Sequence, residues 1–202
     1  IADDAVESEH LNNNIISGQT ELASAPASTD ELLISDGGTL KRIDVSLVGG
    51  TNTPAFEAFL SSDMSSLSDD TFTKITFDTE SFDSDGTYDH SSNYRFTPGV
   101  AGKYYVYGRV IFNNTNVAED THHVSIRKNG SQISELFTKT SSPDQTGHDD
   151  PIITYVEVVD LDANDYVEIF GKINNSNGSR GIHGSGSTNK FTTFGAFKLV
   201  GA

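Results

Sequence analysis

The sequence predicts an all-β sandwich preceded by an extended segment that cannot form a core by itself. Short runs rich in Val, Ile, Tyr and Phe alternate with clusters of Gly, Pro, Asn, Asp and Ser, and nothing of helical period extends beyond a few residues. All 19 Phe and Tyr side chains lie from Phe56 onward. The densest run, Tyr88 to Asn114, joins a turn-rich entry, a Pro98-Gly99 bend and a stretch crowded with Tyr, Val, Ile and Phe. That layout is a loop feeding a long core strand.

Composition narrows the function classes. The 202 residues, 35% hydrophobic, suffice for one sizeable core. No cysteine is present, so disulfides and thiolate metal sites are excluded. With 29 Asp plus Glu against 13 Lys plus Arg, the formal net charge is −16. Such a chain repels phosphate backbones and anionic lipid, which argues against nucleic-acid and membrane partners. No stretch approaches the roughly 18 apolar residues of a membrane-spanning helix, and the amino end lacks the basic-then-apolar layout of a signal peptide. Because the chain opens on Ile1 instead of Met, it is expected to be cut from something longer.

Residues 1–52 read as a stalk or attachment segment. Residues 1–55 hold nine acids, two bases and no aromatic, too little apolar surface to build a core alone. IADDAVESEHLNNNII spaces Ile1, Val6, Leu11 and Ile15 loosely, which fits a short helix, an extended strip between identical chains or a flexible linker. Further on, Leu32 to Ile34 and Leu40 to Val45 flank Asp36-Gly37-Gly38, the turn chemistry of a tight hairpin. A lone hairpin is marginal in water, so this one is expected to pack against a neighbour.

Residues 53–202 read as the sandwich. Strands are expected at Ala55–Leu60, Lys74–Phe77, Tyr94–Phe96, Lys103–Phe112, His122–Lys128, Gln132–Lys139, Ile152–Val159, Asp165–Ile173 and Phe191–Val200. Two of them are apolar on both faces. In the strand from Lys103, Tyr104, Val106 and Val110 point one way and Tyr105, Tyr107 and Ile111 the other. In the strand from Ile152, Ile152, Val156 and Val158 oppose Ile153, Tyr155 and Val159. One face of an antiparallel sandwich normally meets water, so a second apolar face predicts oligomerisation.

From Phe56 to Ala202 the chain resembles the jelly rolls of complement C1q and tumour necrosis factor heads. The resemblance rests on AFEAFL, TPGVAGKYYVYGRVIF, VSIRKNGSQI, VVDLDANDYVEIF and FTTFGAFKLV, in that order and spacing. It implies a C1q-like jelly roll, packed as a homotrimer about a threefold axis. Tyr107, Thr154 and Thr193, with Tyr105 beside them, would then face that axis. The two Thr positions depart from relatives, which often carry aromatics there, and imply a more polar axis. A calcium ion shared by three acidic side chains is a further possibility that the family raises.

A second resemblance lies in the amino segment. ELLISDGGTLKRIDVS is similar to a stretch found ahead of globular tips in bacteriophage tail fibres and appendages, and IADDAVESEHL to the repeats of their shafts. Together these imply a virion structural protein. Its amino segment would hold to other virion proteins, and its tip would engage a host-surface glycan or protein without catalysis. A capsid or head fibre that decorates the shell is the alternative within this class; a polysaccharide depolymerase is the alternative outside it.

The candidate chemistry is sparse. His122-His123 with Glu119 and Asp120, and His148 with Asp149 and Asp150, could form cation sites or simply line solvated loops. There is no Gly-x-Ser-x-Gly elbow, phosphate loop or helical zinc motif. Paired acids such as Asp83 and Asp85 arise by chance among 29. The loop Gly171 to Lys190, rich in Gly, Ser and Asn, is either a recognition loop or a connection. Its adaptable hydrogen-bonding groups, Asn174, Asn175, Asn177, Arg180 and His183, are the candidates for receptor contact. Asn113-Asn114-Thr115 matches a glycosylation sequon but reads as a turn.

Overall fold

The structure, a computed structural model, describes residues 18, 20, 22, 24, 26–27, 29–48, 52–114, 120–140, 150–175, 180–186 and 189–200. The expectations for residues 1–17, Glu119, His148, Asp149 and Asn177 lie outside them. The chain divides into two compact units, residues 1–49 and 50–202.

In the first unit, β1 (Glu31–Asp36) and β2 (Thr39–Asp44) pair in antiparallel register from Glu31↔Asp44 to Asp36↔Thr39. The two-residue turn places Gly37 at φ 58° and Gly38 at φ 84°, a conformation that glycine adopts without steric cost and that matches strand twist. Ion pairs Lys41–Asp36 and Arg42–Glu31, the latter 2.6 Å, brace the strands. A single 3₁₀ turn, Val45–Leu47, ends the unit. Leu33 and Leu40 stay 74% and 71% exposed, so within this unit the hairpin buries almost no apolar surface.

The second unit contains β3 (Ala55–Phe59), β4 (Thr73–Lys74), β5 (Thr79–Asp83), β6 (Tyr88–Asp89), β7 (Arg95–Phe96), β8 (Gly102–Asn114), β9 (Asp120–Lys128), β10 (Ser131–Thr140), β11 (Ile152–Leu161), β12 (Val167–Asn174), β13 (Arg180–Ile182) and β14 (Thr193–Lys198). One sheet runs β10-β9-β12-β7-β6, with β4 also on β12. The other runs β11-β8-β14-β3-β5, with β13 on the end of β8. All of these pairings are antiparallel. The layout is a jelly-roll sandwich.

The alternation in sequence decides the core. Tyr104, Val106, Val110 and Phe112 of β8 point inward and are fully buried, as are Val124, Ile126, Ile169 and Phe194 from the facing and flanking strands. Phe56 stacks on Tyr88 at 4.6 Å and on Phe96 at 4.8 Å and meets Phe194 edge-on at 4.9 Å. Each such side chain contributes about 1.5–3 kcal/mol by leaving water, and offset or T-shaped contacts add to that.

Several elements differ from the sequence expectation. The strand expected at Lys74–Phe77 is confined to Thr73–Lys74, although Ile75 and Phe77 still fill the core and the Ile75 N–H donates to the Ile169 carbonyl at 2.9 Å. β5 and β6 form from TESFD and YD, whose Asp, Glu and Ser content reads locally as turn. β13 arises inside the Gly-rich loop because Gly181 lets the backbone approach Met64, whose carbonyl would lie 2.8 Å from an added Cβ.

Candidate functional site

Outward of the β11-β8-β14-β3-β5 sheet lies a second apolar face. Tyr105, Tyr107 and Phe197 form an open ring cluster, with centroids 5.3 Å apart for Tyr105–Phe197 and 6.2 Å for each of the other two pairs. Beside them on β11, Ile152, Val156 and Val158 are 58%, 51% and 51% exposed. Val156 pairs with Tyr107 and Val158 with Tyr105. A face this apolar on a chain this charged is unusual for surface that meets water.

The expected axis residues all occupy this face, but not one row of it. Thr154 and Thr193 flank Arg109, whereas Tyr107 lies in the next row, between Val156 and Gly195. The pattern of residue types could not reveal that offset, because sliding a strand by two residues preserves which face each side chain occupies. A depression of about 510 Å³ runs between the rows, lined by Glu57, Tyr105, Tyr107, Arg109, Thr154 and Lys190 among others. Arg109 donates to the carbonyls of Phe191, at 2.9 Å, and Lys190. Glu57 is held by Lys190 at 3.0 Å and by the Ser81 hydroxyl at 2.9 Å. Partial burial, with the charge of Glu57 and a hydrogen bond to it, pushes the Tyr107 phenol above its ordinary value.

A shared calcium ion fits this depression poorly. Its one carboxylate, Glu57, is already engaged, and it stands beside two cations, Arg109 and Lys190. Among the described residues, no group of three or more His, Asp and Glu is arranged to hold a metal.

The other candidates lie at the end of the sandwich opposite Ala55, where β3 finishes, β8 finishes and β11 begins. Here His183 stands between two acids, with Nδ1 3.3 Å from Asp63 and Nε2 3.0 Å from Asp150. The Gly184 N–H also donates to Asp63 at 2.8 Å. Each ring nitrogen of His183 thus has a carboxylate oxygen within reach. Arg180 donates to the Asn175 carbonyl at 2.8 Å and pairs with Asp69 at 3.2 Å, while the Asn175 N–H donates to Asp69 at 3.0 Å. Asn175 is 1% exposed, so it and Arg180 close the loop on the body, leaving Asn174 as the exposed member of the described set.

His122 and His123 point to opposite faces of β9. His122 is fully buried against Phe112, and burial together with the neighbouring charge of His123 lowers its imidazole to about 4. His123 faces outward, 2.7 Å from Glu135 and stacked on Phe137. The two therefore cannot share an ion.

The chain is similar to a solved structure of Eiger TNF from S. frugiperda, with a TM-score of 0.50 and 12% identity over 73% of this chain and 93% of that one. It is also similar to the globular domain of zebrafish complement 1qA protein, with a TM-score of 0.48 and 14% identity over 73% and 98%. No protein-family model matches the chain. No curated protein matches it either. Strand order, antiparallel pairing and the first of these likenesses together give the fold: a jelly roll of the tumour-necrosis-factor type.

Proposed function

We propose that this protein is a homotrimeric, non-catalytic bacteriophage structural protein whose jelly-roll tip attaches the virion to a receptor on the host surface. The observation that carries the assembly is the outward face of Tyr105, Tyr107, Phe197, Ile152, Val156 and Val158, which is open in a single chain and apolar enough to need a cover. A second copy supplies that cover, and threefold closure repeats it without leaving a free face. The exposed hairpin of Leu33 and Leu40 has the same need, and three hairpins side by side would meet it.

The virion setting is supported by the resemblance of ELLISDGGTLKRIDVS to segments that precede fibre tips. The amino segment then binds other virion proteins, and the end of the sandwich that carries Asp63, Asp150, Asn174 and His183 points toward the host. Light scattering of the purified full chain tests the trimer: a mass near three chains is expected, and a stable monomer overturns it. Antibodies raised against residues 53–202 test the setting, since they should decorate phage particles and block adsorption.

A further inference from the structure

We infer that the outward face of the β10-β9-β12 sheet, with β4 and β7 beside it, binds an acidic polysaccharide of low charge density. The inference rests on the receptor-binding reading for its biological setting but not for its geometry, because this face belongs to the other sheet.

The register places Arg127 opposite Glu168, Ser125 opposite Phe170 and His123 opposite Lys172, all directed away from the core. Lys74 reaches the same face opposite Phe170. The Arg127 guanidinium contacts two rings, with its centre 4.0 Å from the Phe170 centroid and 5.3 Å from that of Phe72. Lys172 lies over Phe72 at 5.0 Å, and Arg95 lies over Tyr166 at 4.4 Å. Such stacking fixes a guanidinium in place while leaving its edge free to donate.

The acids of this face are already engaged. Glu168 pairs with Lys74, Asp70 with Lys172 at 2.8 Å, and Glu135 with His123 at 2.7 Å. Arg127 and Arg95 form no ion pair among the described residues, although Glu168 and Asp89 are their neighbours across the strands, and the buried Nε of Arg127 has no acceptor. Four permanent cations, Lys74, Arg95, Arg127 and Lys172, stand with four carboxylates, Asp70, Asp89, Glu135 and Glu168, and Arg127 is bonded to none of them. On a chain of charge −16, where acids outnumber bases by 29 to 13, a guanidinium left without an acid is a directed feature. It selects for a carboxylate or sulfate from outside, which a fixed planar fork holds in two parallel hydrogen bonds.

The rest of the face decides the carrier of that anion. Phe137 is 70% exposed, with one ring face on His123 at 5.7 Å and the other open to a C–H surface such as a sugar presents. His123 and Arg127 are four residues apart, about 13 Å along the strand, which suits a short extended oligomer. With its permanent cations and carboxylates in balance, the face is too weakly charged to release many counterions, and the remaining charge of the chain repels a dense polyanion. A nucleic acid is thereby disfavoured against a polysaccharide bearing one acid per sugar or fewer.

The test is titration of the full-length protein with oligogalacturonate, its methyl ester and single-stranded oligothymidylate, with mass measured on the same samples. Binding of the acid form but not the ester is expected. Arg127→Gln should weaken it about tenfold, as expected for loss of a charge-assisted pair. Phe137→Ala, at a position too exposed to threaten folding, should weaken it ~3-fold. Equal binding of the ester, no binding of either sugar, tighter binding of oligothymidylate, or indifference to both substitutions would each overturn the inference. A trimer that ignores the sugar sinks this inference alone, and a monomer that binds it sinks the trimer alone.

Discussion

The Tyr107 ring packs so closely over Gly195 that a Cβ added there would sit 2.5 Å from its Cζ. The two residues are register partners on β8 and β14, so the missing side chain is what lets Tyr107 lie along the outward face beside Glu57. Gly195→Ala should therefore lift the ring into the space a second subunit needs. Overpacking of this kind costs about 1–3 kcal/mol. Because Tyr107 is only half-buried, that cost should fall on association more than on folding. Sedimentation equilibrium should show self-association weakened tenfold or more, with a melting temperature close to that of the parent at concentrations where both are dissociated. Unchanged association would show that Tyr107 lies outside the interface.

Val156 offers a cleaner probe of the same face. It pairs with Tyr107 and is half exposed in the single chain, so an acid there is solvated in the monomer. In the trimer it would be buried without a partner, at a cost of several kcal/mol. Val156→Asp should reduce the light-scattering mass from about three chains to one, with the far-ultraviolet circular dichroism preserved. A Val156→Asp protein that remains trimeric would exclude this face as the contact.

How far the sequence revealed these features depended on the kind of constraint each obeys. β8, β9, β11 and β12 were legible because period-2 alternation and flanking turns are local signals. The Gly37-Gly38 turn, and Asn129-Gly130 between β9 and β10 with φ of 52° and 79°, were legible for the same reason. β13 was not, since Arg180–Ile182 becomes a strand only by meeting Asn114 to Phe112 across the fold. The row shared by Thr154, Arg109 and Thr193 was likewise hidden, because register between distant strands is a tertiary property. Of the site candidates, His183 could be singled out by residue type, but its two acids, Asp63 and Asp150, lie 120 and 33 positions away.

Inside the sandwich, Tyr155 and Gly108 make a matched pair. The Tyr155 hydroxyl donates to the Thr193 carbonyl at 3.0 Å, passing where a Cβ on Gly108 would lie 2.4 Å from it. Tyr155→Phe removes one buried hydrogen bond and should cost about 1–2 kcal/mol, a fall of roughly 3–6 °C in melting temperature for a domain of this size. Gly108→Ala should be far worse, because the Thr193 carbonyl would also be only 2.2 Å away and backbone cannot yield as a side chain can. Calorimetry of Tyr155→Phe and recovery of soluble Gly108→Ala protein check the two. A soluble Gly108→Ala protein with the parent melting temperature would contradict the packing described.

Acid should weaken the fold through His122. Burial lowers its imidazole from 6.5 to about 4, so the folded state keeps the ring neutral where the unfolded chain already takes up a proton. Between about pH 6.5 and pH 4 the unfolded state binds more protons, and stability must fall as pH falls. The carboxylates with lowered values, Asp70, Asp89, Glu135 and Asp165, add their losses only below about 4.5, which leaves the interval from pH 7 to pH 5 to His122. From pH 7 to pH 5, still above the sequence pI of about 4.5, the His122 contribution to the loss is about 2 kcal/mol. Urea midpoints of the parent and of His122→Leu at the two pH values isolate it. The parent should lose about 2 kcal/mol more than the variant. Equal losses would mean that His122 is protonated in the folded protein and that another group carries the acid sensitivity.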